Sequence, residues 1–208
     1  MKSLIADNIS KAYEGRRYIF EKINLSLNDG DSVALTGRNG SGKTTLLKVL
    51  AGLLQASRGT CHLNKNNTQF NELGRLLHLG YVAPYLNLYE EFSPIELLRL
   101  HSKMKGFEYN TAFVDSLLEK YSLTAKRNSP VKTYSSGMKQ RVRFILAFAN
   151  PNLDFLFLDE PFTNLDKAGI EVTIGLIRNF MQSSGILLIA TNEDKEKQLC
   201  GKILELNN

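Results

Sequence analysis

No apolar stretch of this 208-residue chain approaches the roughly 18 residues needed to cross a bilayer. The opening MKSLIADNIS also lacks the apolar core of a secretory signal, which leads us to expect a cytosolic protein. Cysteine is scarce: Cys61 and Cys200 lie far apart without metal-ligand spacing, and read as reduced thiols rather than a disulfide. Low-complexity tracts, internal repeats and Pro/Gly/Ser linkers are missing, so nothing divides the chain into independent domains. A net charge of +5 comes without a long basic block. Pairs such as Arg16–Arg17 and Lys126–Arg127 are scattered, so the charge reads as a mildly basic surface and decides no partner. What is present, 43% hydrophobic and 23% charged residues, is the composition of an ordinary globular protein with one sizeable core.

Up to about residue 36, Ile19, Ile23, Leu25, Leu27, Val33 and Leu35 recur at short spacing around an Asn28–Asp29–Gly30–Asp31 turn, which predicts strands and a hairpin. KTTLLKVLAGLL (43–54) has helical character and ends near Gly52. Between about 93 and 150, SPIELLRLHSKMKG, TAFVDSLLEKYSL and RVRFILAFAN step by three and four, which predicts helices. DFLFLDE follows as a near-continuous apolar strand, then a helix near 167–182, then the strand ILLIA. Continuous apolar strands alternating with helices indicate a parallel sheet covered on both faces. The expected class is α/β, with an antiparallel N-terminal β-layer and an inserted helical segment.

GRNGSGKTT (37–45) lies directly after the strand SVALT and before a helix, and matches G-x-x-x-x-G-K-[ST] in the context that pattern requires. Glycines there let backbone N–H groups crowd round phosphate oxygens, and the helix start adds its positive dipole end. Lys43 can reach the outer phosphates and the Thr44 hydroxyl can ligate Mg²⁺. The loop thus implies a nucleoside triphosphate and a P-loop NTPase core, with Gly37, Arg38, Asn39, Gly40, Ser41, Gly42, Lys43, Thr44 and Thr45 around the nucleotide. FLFLDEP (155–161) puts Asp159 and Glu160 at the carboxyl end of a buried strand, where ligand crevices of open α/β sheets lie. Asp159 would hold Mg²⁺ with Thr44, and Glu160 would orient the attacking water or take its proton.

YSSGMKQR (134–141) precedes the acid strand, and with it the chain resembles the ATP-binding subunits of ABC transporters along essentially its whole length. The resemblance implies one cassette: an ATP-binding core of 1–92 and 150–208, and a helical subdomain of about 93–149 carrying the signature. It implies ATP and Mg²⁺ as cofactors, and a head-to-tail dimer in which Ser135, Ser136, Gly137 and Gln140 meet the ATP of a second ATP-binding subunit. Tyr13 would stack on adenine, unless it is a strand-packing residue. Asp166 in TNLD would contact the opposing subunit. Glu96 in SPIELL matches a helix start and reads as a cap or packing feature. Partners would be integral membrane permease subunits with no direct nucleic acid, placing the chain on the cytoplasmic face of the membrane. Short chains of this kind resemble exporter subunits, including the haem-export ATPases of cytochrome c maturation.

The chain departs from the family at two places. Pro84 stands where a glutamine normally helps to hold the metal, and Asn87 is a candidate substitute. The strand ILLIA ends in Thr191–Asn192 where relatives have Thr-His, and His62, His78 and His101 are all elsewhere. Asn192 either donates its amide to the γ-phosphate as an uncharged catalytic group or caps the helix that begins EDKEK. Two altered positions beside an unaltered Glu160 imply intact ATP binding with slow or partner-dependent hydrolysis. The run Tyr85, Leu86, Leu88, Tyr89, Phe92 lies where such ATPases receive a membrane-subunit helix, or else packs on the helical subdomain. A nucleic-acid-associated ABC ATPase is a poorer match, because one cassette is present and no sustained heptads separate Thr44 from Ser135. Glu160 argues against a non-hydrolysing interaction module.

Overall fold

The computed structural model describes residues 1–13 and 17–206, so Arg16 of the Arg16–Arg17 pair lies outside the described residues. In chain order the elements are β1 (Lys2–Lys11), β2 (Phe20–Asn28), β3 (Ser32–Thr36), α1 (Lys43–Ala51), β4 (Arg58–Lys65), β5 (Thr68–Gln69), α2 (Glu72–His78), β6 (Leu79–Val82), α3 (Pro94–Lys105), α4 (Thr111–Lys120), α5 (Ser136–Phe148), β7 (Phe155–Asp159), α6 (Lys167–Gln182), β8 (Ile186–Ala190), α7 (Asp194–Lys197) and β9 (Lys202–Glu205). They form two sheets. One is antiparallel in the order β2-β1-β4-β5; the other is parallel in the order β6-β7-β8-β3-β9.

The two strand types explain each other's place. β3, β7 and β8 are buried at every position, with polar residues only at the ends of β3 and at the last position of β7, so each needs cover on both faces. Alternate residues of β7 and β8 enter two different cores, as the two-residue period of a strand requires. Phe155, Phe157, Ile186 and Leu188 face α1 and the antiparallel layer, with Leu4, Leu27, Leu46 and Leu63. Leu156, Leu158, Leu187 and Ile189 face the helical side, with Leu117, Val142, Phe144 and Ile177. The helical segment therefore shares its core with the sheet.

The expected hairpin lies elsewhere than at Asn28–Asp31. β2 pairs back on β1, with Leu27 opposite Leu4, whereas the Asn28–Asp31 turn sends β3 into the other sheet. β2 buries only alternate residues and can leave one face to water. SVALT cannot, and so is drawn between β8 and β9.

Helix ends follow capping chemistry. Ser93 and Glu96 form a reciprocal capping box on α3 with Pro94 at its first turn, so Glu96 is a cap and its carboxyl is held below the usual range by the Ser93 N–H. Asn71, Asn110, Ser135 and Asp166 cap α2, α4, α5 and α6 through their side chains. α1 differs: its N-cap is Gly42, with no side-chain cap and no acid in its first turn. Cys61 and Cys200 are free thiols, as expected. Among the described residues no helix is long and apolar enough to cross a membrane.

Candidate functional site

The site is built on strand ends. In a parallel sheet all carboxyl ends share one edge, and β7, β8 and β3 are consecutive neighbours there. Ala190 is in register with Asp159 on one side and Leu35 on the other. The residues that follow these three positions therefore emerge within about 10 Å, two strand spacings. They are Glu160, Thr191 and the Thr36–Gly37 entry to the phosphate loop. Backbone bonds lock this edge: Glu160 N–H to Ala190 O at 2.9 Å, and Thr191 N–H to Leu35 O at 3.0 Å.

Gly40 and Gly42 have φ of +85° and +97°, a backbone that glycine adopts without strain. Lys43 heads α1 with its ammonium drawn into the loop, donating to the carbonyls of Gly37 and Arg38 at 2.8 and 3.2 Å. Ser41 N–H closes the loop on Arg38 O, and Thr44 and Thr45 follow in the first turn. A helix start with no side-chain cap and no acid, ringed by glycine and headed by a buried lysine, fits a phosphate chain.

Asp159 is buried (3% exposed) and Glu160, the next residue, is exposed. Glu160 has φ +44° although it is not glycine, and it precedes Pro161. Such a backbone costs on the order of 1–3 kcal/mol, and here it turns the carboxylate outward at the strand end. Thr163 N–H returns to Glu160 O to hold the turn. Glu160, Thr191, Asn192 and Asn39 line one cleft of about 710 Å³. Asn192 Nδ2 donates to Asn39 Oδ1 at 3.2 Å, which ties the end of β8 to the phosphate loop. Asn192 does not cap α7, where Glu193 takes that position without a side-chain bond; of the two readings, the cap falls.

Tyr13 is 46% exposed beside the sheet, so it does not serve as a strand-packing residue; Lys11 Nζ lies 5.3 Å from its ring centre. Ser135, Ser136 and Gly137 open α5 at the surface, sharing a second cleft with Asn164 and Asp166. A Cβ on Gly137 would stand 2.5 Å from the Asn164 carbonyl oxygen, so only glycine lets the two turns touch. Asp166 accepts from Gly169 N–H and from Arg141, which hold its carboxyl below the usual range; its side chain stays 63% exposed. Gln140 departs from expectation. It is fully buried, donating to Pro161 O at 3.1 Å and accepting from Arg143, so it stands off the surface a second subunit would meet.

Three side chains at this edge carried no readable signal. Tyr85, expected in an apolar docking run, donates its hydroxyl to Asp159 Oδ2 at 2.9 Å, and the Tyr81 hydroxyl lies 2.8 Å behind it. Burial pushes the Tyr81 phenol up to about 12 and Tyr85 well above the usual range, so both stay protonated. Glu196, from the charged stretch EDKEK, is 2% exposed and accepts from Phe162 N–H; burial raises its carboxyl. Asn87, the candidate substitute for glutamine, lines a different, apolar cleft with Leu53, Leu88 and Met104.

Among the described residues no group of three or more His, Cys, Asp or Glu stands ready to hold a metal ion. One buried carboxylate, a helix-start hydroxyl and an anion loop instead fit Mg²⁺ carried in with phosphates, the usual way that ion binds.

Known proteins give this arrangement its relatives. "Cytochrome c biogenesis ATP-binding export protein CcmA" of Haemophilus influenzae is 30% identical over 185 residues, covering 86% of this chain and 84% of its own. The Methylococcus capsulatus protein of the same name is 31% identical over 178 residues, covering 86% of each. A solved "ATP binding subunit of ABC transporter" superposes with a TM-score of 0.85 at 26% identity, covering 98% of this chain and 85% of its own. A dimeric ATP-binding cassette in a post-hydrolysis state, bound to ADP and phosphate, shares the fold with a TM-score of 0.84 at 20% identity, over 98% of this chain and 94% of its own. The family model described as "ABC transporter" matches residues 20–163, which takes in the phosphate loop, the SSG turn and the acid strand. That match covers most of the chain and stops short of Asp166 and Asn192. On that span, this chain belongs to the ABC transporter family.

Proposed function

We propose that the chain is the ATP-binding and ATP-hydrolysing subunit of an ABC transporter of exporter type, peripheral to the cytoplasmic face of the membrane. The observation that carries this reading is the register of β3, β7 and β8, which sets the phosphate loop, Asp159–Glu160 and Asn192 on one edge. The export names of the relatives support the direction of transport.

In this reading the amides of residues 37–45 and the Lys43 ammonium bind the triphosphate, and Tyr13 stacks on the adenine. Thr44 and Asp159 would hold Mg²⁺, which when bound neutralises charge on the phosphates. Glu160, turned outward by its backbone, orients a water and takes its proton. Asn192 offers an uncharged amide N–H to the γ-phosphate. A second copy presents Ser135, Ser136 and Gly137 to the same phosphate, with Asp166 at the subunit boundary. Gln140 supports that turn from beneath. With Asn192 for a histidine and Pro84 for a glutamine, turnover in the isolated subunit is slow and rises with the membrane partner. The apolar cleft of about 520 Å³ lined by Leu53, Leu76, Leu86, Leu88 and Met104 suits a permease helix laid in a groove. We therefore treat 1–92 with 150–208 as the ATP-binding core and about 93–149 as the subdomain that carries the signature.

The test is Glu160→Gln with ATP and Mg²⁺. Loss of the base should stop turnover and trap a dimer visible by size exclusion. A variant that binds ATP and stays monomeric sinks the head-to-tail reading.

A further inference from the structure

The loop after β6 holds the acid strand in a way the family resemblance does not anticipate. Pro84 has no side-chain amide to offer. The next residue turns its hydroxyl back across one strand spacing, and Tyr85 donates to Asp159 Oδ2 at 2.9 Å. Tyr81, on β6, fixes that hydroxyl from behind at 2.8 Å. Lys48 on α1, one turn past the phosphate loop, places its ammonium 4.4 Å from the Tyr85 ring centre. Tyr85 is thus gripped at its hydroxyl and at its ring face while the residue remains 45% exposed. A tyrosine kept for packing alone would bury its ring and send its hydroxyl to water.

A second set of bonds leaves from the neighbouring residue. Arg143 donates twice to the Leu86 carbonyl, at 2.9 and 2.6 Å, and once to Gln140 Oε1 at 3.1 Å. Gln140 in turn donates to the Pro161 carbonyl, next to Glu160. Tyr85 is therefore tied directly to Asp159, and Leu86, through two side chains, to the Pro161 carbonyl beside Glu160.

We propose that Tyr85 is the positioning residue for Asp159, taking over with a hydroxyl the part that the missing glutamine amide leaves open. By binding one carboxylate oxygen it fixes the rotation of Asp159 before metal and nucleotide arrive. A ligating carboxylate set by a second hydrogen bond binds its metal more tightly, because the geometry is prepaid in folding. The inference rests on the proposed ATP–Mg²⁺ reading and adds to it the group that orients the metal-holding acid.

The experiment uses the full chain and Mn²⁺, whose free ion gives a paramagnetic signal. ATP affinity is first measured in EDTA, then the Mn²⁺ concentration that half-saturates the ATP complex. For Tyr85→Phe the metal-free ATP affinity should stay within about twofold, while half-saturating Mn²⁺ should rise roughly tenfold. For Tyr81→Phe, which removes only the outer hydroxyl, the rise should be roughly threefold. Tyr109→Phe, a hydroxyl removed between α3 and α4, should leave the metal titration unchanged. A packing role would lower the unfolding temperature without separating the two affinities. Unchanged Mn²⁺ half-saturation in Tyr85→Phe, or in Tyr81→Phe should the first variant fail to fold, overturns the proposal. Wild-type protein that binds no ATP in either buffer overturns the nucleotide reading together with it.

Discussion

β6 and β7 are neighbours in the parallel sheet, and their carboxyl ends are held by different means. At the end of β7 the backbone does the holding. Glu160 N–H bonds to β8, Thr163 N–H returns to Glu160 O, and a left-handed φ aims the carboxylate outward. At the end of β6 side chains do it: Tyr85 reaches Asp159 and Arg143 clasps the Leu86 carbonyl. Backbone-held geometry survives most substitutions because every residue supplies the same amide. Side-chain-held geometry rests on single residues, so it can be removed by one change. The difference teaches where to look for what is particular to this member of the family: at the end of β6.

Gln140 is the beam between the two ends, and removing it should break the comparison most severely. Gln140→Leu keeps the volume but leaves the buried Pro161 carbonyl without its donor and Arg143 without one acceptor. An unsatisfied buried partner costs about 1–3 kcal/mol, so stability should fall by about 2 kcal/mol. For a chain of this length that lowers the unfolding temperature by roughly 4–8 °C in a thermal melt. A shift below about 1 °C would mean that the two ends stand independently.

The same contrast explains what could be read before the fold was seen. The phosphate loop, the Asp159–Glu160 pair and the both-faces-buried strands are local patterns, because each feature is a short stretch whose backbone presents its own groups. The capping of α3 by Ser93 and Glu96 was legible for the same reason. Tyr85 was not: its partner is 74 residues away, and in a run with Leu86, Leu88, Tyr89 and Phe92 it looks like apolar surface. Gln140 sits in the signature stretch, yet the helical period turns it inward while Ser135 and Gly137 stay at the surface. Glu196 lies among charges and is nonetheless buried against Phe162 N–H, 34 residues earlier. The missed hairpin has another cause: a turn signal marks a reversal but not which sheet the next strand joins.

Asn192 belongs to neither style, for its side chain bridges two backbone-held loops through Asn39 Oδ1. The pair is exposed, so its structural worth is small, and a change there reports on chemistry more than on folding. Asn192→Ala should lower ATP turnover roughly fivefold, the loss of one neutral hydrogen bond of about 1 kcal/mol, with ATP affinity within about twofold. If turnover is untouched, the amide only joins loops and the γ-phosphate role is wrong.

An effect on stability alone, present only in acid, lies on the groove wall below the end of β6, where His101 and Lys105 stand one turn apart on α3. Burial, aided by the charge of Lys105, holds the His101 imidazole down to about 4, against about 6.5 in the unfolded chain. Between those values the unfolded chain binds the proton and the folded one does not, so stability falls as pH drops from 6.5 toward 4. Lys105, whose amine is lowered by burial to about 8 while it donates to the Leu79 carbonyl, acts with the same sign in a higher window: stability rises as pH climbs from 8 to 10.5. His101→Phe keeps an aromatic ring against Phe107 and removes the acid limb. The imidazole's share of that loss between pH 6.5 and 4.5 is about 2 kcal/mol, so melts at those two values should show the wild type losing roughly 4–8 °C more than the variant. Carboxylates titrate in both proteins over that range, so the difference between the two slopes isolates the imidazole. Equal slopes would mean that water reaches His101, and that the wall of the groove opens in solution. A steeper wild type means that the wall is closed over the ring, so Tyr81 and Leu86, which line the same groove, rest on a rigid surface at the end of β6.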